Sequence, residues 1–337
     1  MHPPTDPAIA PTVAVVVPAH RASDELRRCL AGLQHCAPEP DELVVVVDGA
    51  DPATVALARG FAGEVVTLDV AGGPARARNA GVAATDTDLV FFVDSDVVVP
   101  PTAIAQLRAR FAAEPGVDAL IGSYDADPPA PGLVSQYKNL LNHHTHQTAR
   151  TEAATFWGAC GAVRRTAFDG VGGFDETYTR PCVEDIELGY RLRDAGYRIR
   201  VDKDLQVTHL KQWTPRSMIR ADVLDRAVPW SELLLTGRGF HDDLNISRSQ
   251  RAKTVLATTG LACALLGLRW RPPRRVALGS VAALVVADLP LLRFFARARG
   301  VGFAAGAAPW HWLSYVYSAG AFATVLARLR LGARFRR

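Results

Sequence analysis

A chain of 337 residues, 49% of them hydrophobic, has ample material for one large domain and an appendage. Its formal charge is +4, with surplus arginine gathered towards the C-terminus. That balance suits an anionic membrane surface rather than nucleic acid, and no zinc-finger spacing or aromatic–basic stacking motif appears. The five cysteines (Cys29, Cys36, Cys160, Cys182 and Cys263) are scattered, odd in number and lack a CxxC pair, which points to a reducing compartment and against a disulfide framework or zinc site.

Residues 1–11 read as a flexible leader, and with no basic stretch ahead of an apolar core no signal peptide is expected. Val13–Val17 is the first buried strand, ending at Pro18-Ala19-His20-Arg21. Ser23 caps a helix on which Leu26, Leu30 and Leu33 recur at helical spacing. Leu43–Val47 is the second strand, closed by Asp48-Gly49. A short helix over 53–62 and a strand over 64–70 follow. Next come a Gly72-Gly73-Pro74 turn and a helix through Arg76, Arg78 and Asn79. Strands and helices alternating at this spacing predict βαβ units and a doubly wound, mostly parallel sheet, with ligands beyond the carboxyl ends of the strands.

The stretch Leu89–Pro100, LVFFVDSDVVVP, is the centre of the pattern. An apolar run of this kind reads as a buried strand, and in extended chain Asp94 and Asp96 project to one side, flanking Ser95. Two adjacent carboxylates at a strand end are costly unless a cation offsets them, and Mg²⁺ or Mn²⁺ shared with a phosphate ligand does so. A polar strand end facing solvent remains the alternative at this point. The strand-end set of Pro18, Ala19, Asp48, Gly73, Arg76, Arg78, Asn79, Asp94, Ser95 and Asp96 suits a nucleotide. In it Asp48 could accept from a base N–H, Gly73 admit a phosphate, and the arginines supply diphosphate charge. Neither GxGxxG nor a P-loop is present.

VVVPAHR, VVVDGADP, AGGPARARNAG and FFVDSDVVV, in this order, resemble the nucleotide-sugar half of family 2 glycosyltransferases, which have the GT-A fold and a DxD-type motif. Further on, GGFDETYTRPCVEDIELGYRLRD is similar to the family's ED motif. Acidic residues in a first helical turn are also favoured by the helix dipole alone. The resemblance implies Asp185 as the general base towards an acceptor hydroxyl, with Glu184 positioning it, and His209 at a strand end as a further metal ligand. It also implies Asp94 and Asp96 as the metal-binding pair. Gly158, Cys160, Gly161 and Trp213 are placed in the acceptor and sugar pocket. Gln212 opens no QxxRW motif, so no polysaccharide synthase is predicted. His143, His144 and His146 have the wrong spacing for a metal face and read as acceptor-pocket lining or exposed helix.

Beyond Arg251 three apolar stretches appear: 254–268, 276–296 and 301–327. The first is short for a membrane, which needs roughly 20 residues. Arginines between them favour two spans and an interfacial first stretch, with Asp288 near mid-span needing a partner such as Arg293. The expected division is a GT-A domain over 12–240 and a membrane-associated helical region over 241–337. The expected function is metal-dependent, inverting transfer, of hexosyltransferase type, from a UDP- or GDP-linked sugar to a lipid or lipid-linked hydroxyl. The place is the cell membrane, with the catalytic domain cytoplasmic and no nucleic-acid partner. A sugar nucleotidyltransferase and a non-catalytic membrane scaffold are the alternatives.

Overall fold

The computed structural model describes residues 10–238, 247–269 and 271–334; most of the 1–11 leader and the 240/241 division lie outside them. Chain contacts divide the described residues into two compact units, 10–125 with 150–210, and 126–149 with 211–334.

In the first unit the order is β1 (Val13–Ala19), α1 (Asp24–Gln34), β2 (Glu42–Asp48), α2 (Pro52–Arg59), β3 (Glu64–Leu68), α3 (Pro74–Ala83), β4 (Leu89–Val93), β5 (Val97–Val98), α4 (Ala103–Ala113) and β6 (Ala119–Tyr124). The chain leaves for α5 (Leu133–Thr148) in the second unit. It returns as β7 (Glu152–Ala153), β8 (Cys160–Arg164), α6 (Arg165–Gly170), α7 (Glu184–Asp194) and β9 (Ile199–His209). Ser23 caps α1 as its sequence predicts, its Oγ accepting from the Leu26 N–H at 3.1 Å. Leu26, Leu30 and Leu33 are fully buried with Val13, Val15, Val17, Phe91 and Val93, each such side chain stabilising the fold by about 1.5–3 kcal/mol. The second helix stops at Arg59, before Gly60, rather than running to 62.

The nine strands of the described residues run β3-β2-β1-β4-β8-β6-β9-β5, with β7 on β9. The expectation of a mostly parallel sheet needs correction. From β3 to β4 all pairs are parallel, but β8 lies antiparallel between β4 and β6, and β5 and β7 are antiparallel to β9. Only β6–β9 is parallel in that half. Apolar runs report burial on both faces, not direction, so the sequence carries no sign of the reversal.

Gly189 seats α7 against the segment before β8: a Cβ there would lie 2.1 Å from the Phe156 backbone nitrogen. Gly189→Ala is expected to destabilise the fold by about 1–3 kcal/mol or more through this overpacking, read as a fall in the thermal midpoint.

The second unit contains α5, then α8 (Pro215–Arg220), π-helical turns over Ala221–Ala227, α9 (Val228–Leu233), α10 (Arg248–Leu266), α11 (Arg271–Ala287), α12 (Leu289–Arg299) and α13 (Val301–Arg334). Val134, Tyr137, Leu140, Trp213, Met218, Leu291 and Phe295 form one core cluster. This is why α5 and residues 211–238 group with the C-terminal helices rather than with the sheet. His143 and His144 stack on Phe294 at 5.6 and 5.0 Å, and His143 and His146 are buried, so this run is not an exposed face. The apolar stretch 276–296 is not one helix. It breaks at Asp288, and Pro273–Ala287 and Leu289–Arg299 meet at 61°. Among the described residues no single helix is long and apolar enough to cross a membrane; that bent pair passes only when taken together. Asp288 is fully buried, and its partners are Lys253 Nζ at 2.8 Å, Trp312 Nε1 at 3.0 Å and the Tyr315 hydroxyl at 3.1 Å, not Arg293.

Candidate active site

The carboxyl ends of β1, β2 and β4 and the first turns of α3 and α7 supply the site. Asp48 closes β2 and is nearly buried. Its two oxygens accept from the backbone N–H groups of Gly72 at 2.7 Å and Gly73 at 2.9 Å. The carboxylate therefore organises the glycine loop. Gly73 has φ +86°, and a Cβ on it would meet the Thr179 carbonyl carbon at 2.5 Å. That glycine admits the 179–180 backbone rather than a phosphate. Pro18 and Ala19 end β1 beside it, where His20 Nδ1 lies 2.8 Å from the Asp48 carbonyl oxygen.

On α3 the three predicted polar residues separate. Arg76 is exposed. Asn79 clamps the turn ahead of α7: Nδ2 donates to the Phe174 carbonyl and to Glu176, and Oδ1 accepts from the Phe174 N–H, all at 2.9 Å. Its role in the structure is to hold that turn. Arg78 is buried. Nη1 donates to Glu184 Oε1 at 2.9 Å and Nη2 to Asp94 Oδ1 at 2.8 Å, with the Phe174 ring 5.2 Å from its guanidinium. Burial works against the Arg78 charge, but Asp94, Glu184 and Asp185 outweigh it and raise its pKa.

Asp94 and Asp96 sit on a turn between β4 and β5, not on extended chain, so the shared-face premise fails. Each carboxylate meets its own partner. Asp94 faces Arg78, while Asp96 Oδ2 lies 3.5 Å from His209 Nε2. Burial pushes the Asp94 carboxyl up, Arg78 opposes this, and Asp96 adds to it. His209 is buried and stacked on Tyr124, with ring centroids 4.4 Å apart. Tyr124 and Phe174 are contributors that the sequence reading passed over. Tyr124 ends β6, and Phe174 lies in the turn ahead of α7. Ser95 is the central residue of the Asp94–Asp96 turn.

Glu184 opens α7 and is buried. With Oε1 on Arg78, its Oε2 accepts from the Cys182 N–H at 2.8 Å. Asp185 keeps a half-buried carboxylate whose Oδ2 accepts from the Gly158 N–H at 3.0 Å and whose Oδ1 accepts from the Ile186 N–H at 2.8 Å. Burial first, then Glu184, pushes its carboxyl up to about 7, with Arg78 and the Gly158 N–H pulling the other way. A carboxyl poised there can exchange a proton near neutral pH.

The predicted sugar pocket is corrected in part. Gly158 stands at the site, against the Arg78 guanidinium. Cys160 is fully buried in β8, its thiol raised by that burial, and a Cβ on Gly161 would strike the Trp157 carbonyl and the Phe156 ring. Both face protein, not a sugar. Trp213 is buried in the core of the second unit.

For a divalent ion, Asp96 and His209 offer an oxygen and an imidazole nitrogen at a separation one ion can bridge, a donor set suited to Mn²⁺. Among the described residues no group of three or more His, Cys, Asp or Glu side chains converges as a metal cluster. Further oxygens must therefore come from a ligand or water.

Residues 14–172 match the model described as Glycosyl transferase family 2, and residues 139–212 one described as N-terminal domain of galactosyltransferase. The pre-mycofactocin glycosyltransferase of Mycobacterium tuberculosis is 30% identical over 226 residues, covering 60% of this chain and 45% of that protein. Validoxylamine A glucosyltransferase of Streptomyces hygroscopicus subsp. limoneus is 28% identical over 228 residues, covering 58% and 50%. The chain thus spans about half the length of these curated relatives. The mannosyltransferase PcManGT from Pyrobaculum calidifontis, solved with GDP-Man and Mn²⁺, has a TM-score of 0.53 at 19% identity, covering 95% of this chain and 88% of that one. At that identity the likeness is one of fold. With the DxD-type turn and the acidic helix joined through Arg78 and the family model matched from the first strand onward, residues 14–172 are a glycosyl transferase family 2 domain.

Proposed function

We propose that the chain catalyses inverting transfer of a sugar from a UDP- or GDP-linked donor to the hydroxyl of a lipid or lipid-linked acceptor, at the cytoplasmic face of a membrane. The observation that carries this reading is the Arg78 bridge. One guanidinium joins Asp94 of the donor-side turn to Glu184 of the acidic helix, with Asp185 as its neighbour. PcManGT, with its GDP-Man and Mn²⁺, supplies a precedent for the donor class and ion.

Asp185 is the group that receives the acceptor's proton. Each of its oxygens accepts one backbone N–H, which fixes the carboxylate and leaves lone pairs for the incoming hydroxyl. Glu184 has one oxygen on Arg78 and the other on the Cys182 N–H, so it is a positioning residue rather than a second base. A single base acting on the acceptor hydroxyl implies one displacement at the anomeric carbon, hence inversion. Asp96 and His209 would hold Mg²⁺ or Mn²⁺, which when bound would offset charge on the departing nucleoside diphosphate.

The test is turnover of UDP- and GDP-sugars by the full chain, with a lipid-linked or long-chain alcohol acceptor, read as released nucleoside diphosphate. Release of pyrophosphate instead identifies a nucleotidyltransferase and overturns the reading. Removing divalent ions with a chelator should abolish turnover. Asp96→Asn and His209→Ala should each raise the Mn²⁺ concentration for half-maximal activity by roughly tenfold or more. An unchanged titration in both removes these two residues from the ion.

A further inference from the structure

Nearly every exposed large hydrophobic residue of the second unit lies on α10, α11 and α13. The α10–α11 pair is the extreme case. Its inner face is fixed: a Cβ on Gly260 would lie 2.8 Å from Ser280 Cβ, Lys253 pairs with Asp288, and the Tyr315 hydroxyl donates to Gln250 at 3.0 Å. Its outer face is bare hydrocarbon, with Leu265 61%, Leu268 78%, Leu278 72% and Val286 70% exposed. Between Arg248 and Ala287 the sequence contains no Asp or Glu. Cations stand at both ends, Arg248 and Arg251 at one and Arg269, Arg274 and Arg275 at the other. An apolar face of this extent on a water-facing surface marks an interaction site.

We propose that the outer faces of α10 and α11 seat in one leaflet of an anionic bilayer, as a hairpin lying in the interface and not crossing it. This deepens the membrane clause of the proposed function and rests on it. Length decides against crossing. The apolar runs 254–268 and 276–287 measure about 22 Å and 18 Å at the helical rise of about 1.5 Å per residue, against roughly 30 Å of hydrocarbon. A span would draw Arg269, Arg274 and Arg275 into or across the bilayer, where ionised side chains are strongly disfavoured. Lying flat, both arginine groups reach head-group phosphates while the leucines and valines enter the acyl boundary. Charge also decides against a second copy of this chain. Both ends of the hairpin are cationic, so a partner hairpin docked in either direction meets like charge.

The experiment is flotation of the full chain with sealed vesicles of phosphatidylcholine alone, or with about a third phosphatidylglycerol. Binding should favour the anionic vesicles by roughly tenfold or more and weaken with added salt. Leu265→Glu with Leu278→Glu should abolish it, and Arg269→Gln with Arg275→Gln should remove the anionic preference. Turnover of nucleotide sugar with a soluble acceptor should stay unchanged in both double variants. Loss of flotation with turnover intact therefore separates this surface from the transfer reading. In vesicle-bound protein carrying Arg275→Cys, a membrane-impermeant thiol reagent added outside should label that position, located by mass spectrometry. Three results overturn the proposal: equal binding to neutral vesicles, protection of that thiol, or vesicle-independent dimers that the two glutamates dissolve.

Discussion

Asp185→Asn is expected to lower turnover roughly a hundredfold to ten-thousandfold, the range that a positioned general base contributes, while the circular-dichroism spectrum and donor binding persist. The amide has nearly the same shape but cannot take the acceptor's proton. In the parent chain, kcat/KM should climb with pH through about 7, where the Asp185 carboxyl ionises, and level off above it. Stability should move the other way. The folded-state pKa lies above the ordinary carboxylate value because burial and Glu184 disfavour the charge. The unfolded chain therefore ionises first, and the parent loses stability relative to Asp185→Asn between about pH 4 and pH 7, then holds level. Thermal midpoints of the two proteins across that range test the sign. A flat difference, or a variant that retains turnover, removes Asp185 from the reaction.

Arg78→Met should have the largest effect on stability. It leaves Glu184 buried and Asp94 half-buried without their shared cation, and removing one partner of such a pair costs about 3–5 kcal/mol. For a unit the size of the first, with roughly 2–4 °C lost per kcal/mol, its thermal midpoint should fall by about 6–20 °C. Turnover measured well below that midpoint should also drop, because nothing then ties the donor-side turn to α7. Arg78→Lys should recover only part of the loss. A single ammonium lacks the planar fork that reaches two carboxylates at once. A midpoint within about 2 °C of the parent, with turnover unchanged, would deny the bridge its role.

Much of the first half was legible in the sequence because its signals are local. The leucine spacing of α1, the Ser23 cap and the valine runs each act within a few residues, and the strands formed where those runs predicted. The acidic motifs were legible as chemistry, yet their connection was not. Arg78 lies 106 positions from Glu184, and nothing in its neighbours distinguishes it from Arg76, which is exposed. Asp48 and Asn79 look like ligand-binding groups in one dimension. In three dimensions each also holds a local turn, Asp48 through the Gly72 and Gly73 N–H groups and Asn79 through Phe174 and Glu176. Cys160 and Gly161 were misplaced for a related reason: alternation along β8 tells which residues share a face, not whether that face meets solvent. Further along, hydropathy made 276–296 one segment. The break falls where Asp288 stands at the N-cap of α12 and Pro290 in its first turn, a local signal that a hydropathy reading passes over.

The position of β8 governs how the sheet is assembled. It lies between β4 and β6, both made earlier on the ribosome, so those two strands cannot join one sheet until residue 164 has been synthesised and has reached its slot. Through that interval β4, with Phe91 and Phe92 on it, is an unpaired strand edge in the nascent polypeptide, the kind of surface that recruits other chains. β9 enters later still, between β6 and β5, so the interior edges of this sheet are covered only when residue 209 has joined it.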